Sequence, residues 1–322
     1  MGEGVFLGQL QAFLEIARLG NVTRAADTLF LTQPALTSRL KRLEQEIGAT
    51  LLVRDRKGAR LTDAGRAFLP YAERAVATMT DAQRVVLEVG RSGTGELAVA
   101  ATPTLSMYLL PPVISRFVTA NPSVRLSFHS AASELILDMV LRGEVELGLA
   151  RLLQHPEIES VPLYEEEYIL VIDPRHPLAT AGRVTVADVA RETLITLFRS
   201  PSFKEFVDVL LRQSGQPQRG TIDVDNSEAG KRLVSERIGV GMIPRSAVER
   251  ELAAGTICRL DVADLPPMRR TMAVLRRRGA PELTVVRSFL ALVQAELKRN
   301  GRAPRVPKRS HRTRIRPALS AR

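Results

Sequence analysis

The chain has 322 residues, of which 45% are apolar, enough for two or three buried cores; no run of about 18 apolar residues occurs, which argues against a helical membrane span. Its single cysteine, Cys258, excludes an internal disulfide framework and a cysteine metal cluster, and an aromatic content of 4% without tryptophan argues against stacking platforms for single strands. The net charge of +11 is a property of the C-terminal tail: residues 298–322 carry ten Lys/Arg and no acid, which leaves +1 for the other 297, so a case for nucleic acid must rest on local pattern.

The N-terminal stretch MGEGVFLGQLQAFLEIARLG lacks a basic start, a long apolar run and a small-residue cleavage site, so the reading is a cytoplasmic chain. Residues 7–19 set Leu7, Leu10, Phe13, Leu14 and Ala17 on one helical face. After a break at Gly20-Asn21, Thr23 is the expected cap of a short second helix with Ala25, Ala26 and Leu29 inward. A third helix follows, capped by Thr32, with Pro34 in its first turn, Leu36, Leu40, Leu43 and Ile47 as its apolar stripe, and Gly48 as a left-handed end. Leu51-Leu52-Val53 and Ala59-Arg60-Leu61 flank a basic RDRKG turn and read as a small hairpin, or wing. Thr62 caps a long helix to about Glu88, whose apolar face predicts packing against a partner chain, and 90–95 is a glycine-rich hinge.

Beyond the hinge, strands are expected at 96–101, 124–129, 145–150, 167–172, 193–198, 221–225, 239–243 and 272–276. Helices are expected at 106–120, 133–141, 202–213, 228–237, 245–254 and 281–299. This alternation predicts open parallel sheets with helices on both faces, an α/β domain of two subdomains (about 95–172 plus 271–299, and 173–270) behind an all-α winged helix-turn-helix. Residues 300–322, basic and proline-containing, read as disordered; their charge either adds nonspecific phosphate contacts or is an extension without function.

The second and third helices with their short turn fit a helix-turn-helix, in which the N-terminal residues of the second element meet base edges in the major groove of double-stranded DNA. Gln33 suits adenine; Thr37 and Ser38 suit bases or phosphates; Arg39 suits guanine or phosphate; Pro34 and Ala35 offer apolar contact to a thymine methyl. Arg42 lies one turn on, towards phosphate, and Arg54, Arg56 and Lys57 on the wing reach for the backbone or minor groove. Thr23 and Arg24, at a helix N-terminus, form a phosphate seat, and Thr32, at the start of the third helix, is counted among the DNA-binding residues. The competing reading of the same residues is an ordinary solvated face, with Arg39 and Arg42 paired to Glu46.

The residues Phe13-Leu14-Glu15-Ile16-Ala17, Asn21-Val22-Thr23-Arg24-Ala25-Ala26, Leu31 through Glu44 and Leu61-Thr62-Asp63-Ala64-Gly65 resemble, in order and spacing, the LysR-type transcriptional regulators. Leu52 departs from the pattern, where the family usually has Phe. The resemblance implies a winged helix-turn-helix over 1–65, a linker helix over 62–90 that pairs two chains, and an effector domain of two periplasmic-binding-protein-like α/β subdomains over 91–299. It also implies a homotetramer, a dimer of dimers, with RNA polymerase as a further candidate partner.

In open α/β sheets ligands sit beyond the carboxyl ends of strands, near helix N-termini. Thr102, Pro103, Thr104, Ser130, Ser133, Arg151, Arg199, Ser200, Ser202, Asn226 and Ser227 occupy such positions, where the family's effector pocket lies between subdomains. Hydroxyls and arginines there suit a small anion, although Ser, Thr and Asn before helices also serve as plain caps. No catalytic set, metal site or cofactor motif emerges: Ser130 beside His129 lacks a GxSxG elbow, Glu165-Glu166-Glu167 reads as a solvated turn, and Gly239-Val240-Gly241 is half a dinucleotide motif after a helix. The alternatives are a solute-binding receptor-like protein, which the absence of a leader opposes, or a small-molecule enzyme with an accessory DNA domain, which lacks a nucleophile–base pair.

Overall fold

The computed structural model describes residues 7–55, 58–90, 95–197 and 219–302. Arg56, Lys57, Arg199, Ser200, Ser202, the helix expected at 202–213 and the tail from residue 303 lie outside them. By contacts, the chain forms two compact units. One takes the chain up to Ser160 and again over Val274–Val293; the other takes Val161–Leu197, the described part of 206–273, and the chain from Gln294.

The first unit begins with α1 (Leu7–Leu19), α2 (Val22–Thr28) and α3 (Gln33–Ile47), then the hairpin β1 (Leu52–Asp55) and β2 (Gly58–Leu61), then α4 (Asp63–Gly90). Phe13, Ile16, Leu36, Leu43 and Leu51 are completely buried in one core with Leu52, each contributing about 1.5–3 kcal/mol of apolar burial. Phe68 of α4 closes that core, its ring 5.5 Å from Phe13. The cap of α2 differs from expectation: Asn21, not Thr23, accepts the Arg24 N–H at 3.0 Å. Asn21 occupies extended backbone immediately before the helix, the geometry an N-cap requires, whereas Thr23 is already helical.

The same unit continues with β3 (Gly95–Ala101), α5 (Pro103–Tyr108), α6 (Leu110–Ala120), β4 (Val124–Ser130), α7 (Ser133–Leu141) and β5 (Leu147–Arg151). The single helix expected over 106–120 is two helices, parted at Leu109. β3 lies between β4 and β5 and pairs parallel with both, so the carboxyl ends of three strands share one edge. Behind the sheet, Phe117 of α6 meets Phe289 edge-on at 5.3 Å.

The second unit holds most of β6 (Ile158–Ile172), then α8 (Val186–Ala190), β7 (Thr193–Leu197), β8 (Gly220–Val224), α9 (Ser227–Ser235), β9 (Val240–Pro244), α10 (Arg245–Ala254) and β10 (Cys258–Arg259); β11 (Met268–Arg277) and α11 (Thr284–Arg299) follow and are each divided between the two units. Here the expectation of all-parallel strands fails. β7 pairs parallel with β8 and β9, but β6 runs antiparallel to β9 and β10. Strand–helix alternation fixes direction only between strands joined by one crossover, and β6 and β9 are joined by a longer passage. β6 also absorbs the expected acidic turn. Glu166 is 4% exposed, and its carboxylate accepts from the Tyr164 hydroxyl (2.8 Å) and from the Ser246 hydroxyl and N–H (2.8 and 3.2 Å). Burial beside that carboxylate drives the Tyr164 phenol well above its ordinary value.

Candidate nucleic-acid interface and effector site

α3 starts and stops on strong local signals. Thr32, extended at φ −76°, accepts the Ala35 N–H at 3.4 Å, Pro34 occupies the first turn, and Gly48 ends the helix at φ +74°. Leu36, Leu40 and Leu43 face the core. The opposite side is polar: Gln33, Pro34, Thr37, Ser38, Lys41, Arg42 and Gln45 line one open concavity. Five of these were expected from sequence. Lys41 and Gln45 were not, although the i, i+4 spacing from Thr37 and from Ser38 to Arg42 continues through both and was a readable signal. Arg39 stands apart on the helix flank, its guanidinium beside Gly8 of α1, where a methyl group would come within 3.1 Å of Nη1. Ala35 is half-buried.

Arg42 Nε lies 3.6 Å from Glu46 Oε1, with the arginine side chain 51% exposed. A pair with one half-exposed partner at this distance is weak, about 1 kcal/mol or less, so the arginine can be drawn to a phosphate at small cost. Thr23 and Arg24 are exposed on α2, but the Arg24 N–H is already taken by Asn21, which removes one of the donors a phosphate seat there would use. On the wing, Arg54 pairs through its backbone with Ala59. The hairpin is anchored from two sides: Glu44 Oε1 of α3 accepts the Leu51 and Leu52 N–H groups (2.8 and 3.1 Å), and Ala59 N–H donates to Gly20 O (2.8 Å). Gly58, at φ +125°, has no room for a side chain, because a Cβ would sit 2.3 Å from that same Gly20 oxygen. α4 carries exposed Tyr71, Met79 and Val86.

At the shared carboxyl edge of β3, β4 and β5 the first unit gathers four of the expected effector residues. Thr102 follows β3, Ser130 ends β4, Ser133 opens α7, and Arg151 ends β5. Ser106, which the sequence reading missed, links them: its hydroxyl lies 2.9 Å from Thr102 O and 3.3 Å from Ser130 Oγ. Ser133 Oγ accepts the Arg151 N–H at 3.3 Å, and Arg151 Nη2 meets Glu134 Oε1 at 2.7 Å. Two polar atoms of this edge are buried without a hydrogen-bond partner among the described residues, Thr102 Oγ1 and Arg151 Nε. Thr102 precedes α5 in cap geometry, yet its hydroxyl makes no cap bond. Pro103 and Thr104 are half-buried in the first turn of α5. In the second unit Asn226 is committed as a cap, accepting the Ala229 N–H at 2.8 Å, and Ser227 beside it is 4% exposed.

Residues 7–66 match the family described as "Bacterial regulatory helix-turn-helix protein, lysR family", and residues 90–298 match the "LysR substrate binding domain". The chain belongs to the LysR family. This LysR-family chain is 30% identical over 268 residues to a probable RuBisCO transcriptional regulator of Trieres chinensis, covering 80% of this chain and 87% of that one. Among solved structures it is similar to CbnR in complex with its target DNA (25% identity, 90% and 99% of the two chains, TM-score 0.57). It also shares the fold of a full-length OxyR variant from Pseudomonas aeruginosa (22% identity, 92% and 96%, TM-score 0.66). The LysR-family chain is thus a transcriptional regulator with a helix-turn-helix and an effector-binding domain. Among the described residues no helix is long and apolar enough to cross a membrane.

Proposed function

We propose that residues 1–65 bind a dyad-symmetric operator through α3, with Gln33, Thr37 and Ser38 reading base edges and Lys41, Arg42 and the flanking Arg39 holding phosphates. The observation that carries this is the polar concavity on α3 opposite its buried leucine stripe. Wing residues Arg54, Arg56 and Lys57 add backbone or minor-groove contacts. Residues 62–90 pair two chains along the exposed apolar stripe of α4, and two such dimers make the tetramer. RNA polymerase is a further candidate partner, since the chain is a transcriptional regulator.

Residues 91–299 sense a small anionic metabolite in the cytoplasm. The buried, unpartnered Thr102 hydroxyl supports a ligand at the carboxyl edge of β3, β4 and β5, with Ser130 and Ser133 beside it and Arg151 as the cation. A ligand that binds one arrangement of the protein better than another shifts the population between them, and so the spacing of the paired DNA domains.

A gel shift over a salt series tests the DNA reading, using duplexes selected by the full chain from a randomised pool. Gln33→Ala is expected to lose about 10-fold or more in discrimination between selected and random duplexes, the worth of one bidentate base contact, with the salt slope unchanged. Arg42→Ala is expected to weaken binding to both alike and to lower the slope by about 1. Full discrimination by Gln33→Ala overturns the assignment.

A further inference from the structure

Phe30 stands in the turn between α2 and α3, 95% exposed, at a φ of +54°. The turn is well hydrogen-bonded: the Phe30 N–H donates to Asp27 O at 3.1 Å and the Leu31 N–H to Ala26 O at 2.9 Å. This closes α2 in the way that places a left-handed residue just past the helix. Glycine is favoured at such a position, because any Cβ there crowds the following carbonyl oxygen. A lone exposed apolar side chain is ordinary. A nearly bare aromatic ring on a backbone conformation that disfavours every side chain contributes nothing to folding from either source.

The position of the ring gives it another use. Thr32, two residues on, caps α3, and Gln33 opens both that helix and its polar concavity. The ring therefore emerges at the end of α3 that a helix-turn-helix directs at base edges.

We infer that Phe30 contacts DNA, packing its ring against a thymine 5-methyl group at the edge of each half-site, and is a specificity-determining residue of this regulator. The inference rests on the reading of α3 as the groove helix. An apolar ring has no hydrogen bond to offer a base, and the thymine methyl is the apolar group that the major groove displays. The hydrogen-bonded turn fixes the backbone that carries the ring, so little backbone freedom is lost on binding.

The test uses the full chain as wild type, Phe30→Gly and Phe30→Leu, with the selected duplex and a series in which each thymine in turn is replaced by uracil, which lacks only the methyl. Phe30→Gly is expected to melt a few degrees higher without DNA, since the strain is gone, yet to bind the selected duplex about 5-fold more weakly. Phe30→Leu keeps most of the affinity. One uracil position weakens wild type by a similar factor and has no further effect on Phe30→Gly. The proposal is overturned if Phe30→Gly binds as tightly as wild type and no uracil position matters. It is likewise overturned if Phe30→Gly changes only the sedimentation of the free protein, which assigns the ring to a second copy. Gln33→Ala run alongside separates the two failures: lost discrimination there with an inert Phe30 leaves the groove reading standing, whereas two inert residues remove both.

Discussion

Thr102→Val separates folding from sensing, because the two effects have opposite signs. The substitution exchanges a hydroxyl for a methyl of nearly the same shape. In the ligand-free protein Thr102 Oγ1 is buried with no partner among the described residues. A buried, unsatisfied polar atom costs about 1–3 kcal/mol relative to a paired one. Removing it should stabilise the free protein by about 1 kcal/mol, the low end of that range. For a unit of 150–250 residues that corresponds to a melting temperature about 2–4 °C higher. With an anionic ligand the same change deletes a hydrogen bond to a charged acceptor, worth about 1.5–3 kcal/mol, or about 10- to 150-fold in Kd. The assay is a thermal-shift titration of wild type and Thr102→Val against small carboxylates, sulfate and phosphorylated metabolites. The expected result is a higher melting point without ligand and a ligand-induced rise that needs about 10-fold or more ligand to match wild type. A variant that melts lower without ligand, or titrates identically with it, refutes the reasoning.

Two further outcomes follow from local geometry. Gly65→Ala places a Cβ 2.1 Å from the Leu51 carbonyl oxygen, at the junction where Thr62 Oγ1 caps α4 by accepting the Gly65 N–H at 2.9 Å. Displacing that backbone should cost about 1–3 kcal/mol, read as a lower denaturation midpoint together with weaker DNA binding, because the wing hangs from Leu51. In the second unit the Arg175 guanidinium, hydrogen-bonded to Asp173 at 2.9 Å through Nε and through Nη2, and the Arg175 N–H at 2.8 Å, hold the Asp173 carboxyl down to about 2 from 3.8. A carboxyl lowered in the folded state stabilises the fold above the unfolded value, and the effect disappears as pH falls through about 2. Arg175→Ala should raise the Asp173 titration in a carbon-detected NMR series and shift the acid limb of unfolding upward, while the two proteins converge below pH of about 2.

In the helix-turn-helix segment, the helices and most of their ends were readable from sequence. The caps at Thr32, Gly48 and Thr62 depend on contacts within a few residues, and the leucine stripe of α3 repeats with the helical period, so the necessary information is local. The same periodicity extends the polar face to Lys41 and Gln45. The cap of α2 was misplaced by two residues because both Asn21 and Thr23 can accept a backbone N–H, and backbone conformation decides between them.

Sequence alone thus determined the helix-turn-helix, its polar face, the strand–helix alternation and the confinement of excess charge to the tail, since each is a pattern of neighbours along the chain. Only the tertiary structure decided that β6 runs antiparallel to β9, that Glu166 is buried under Tyr164 and Ser246 rather than solvated, and that Thr102, Ser106, Ser130 and Arg151 meet at one sheet edge. It also revealed that Phe30 holds a left-handed backbone with its ring bare. These features depend on which distant segments pack together and on the φ angle that packing imposes, quantities that neither composition nor periodicity encodes.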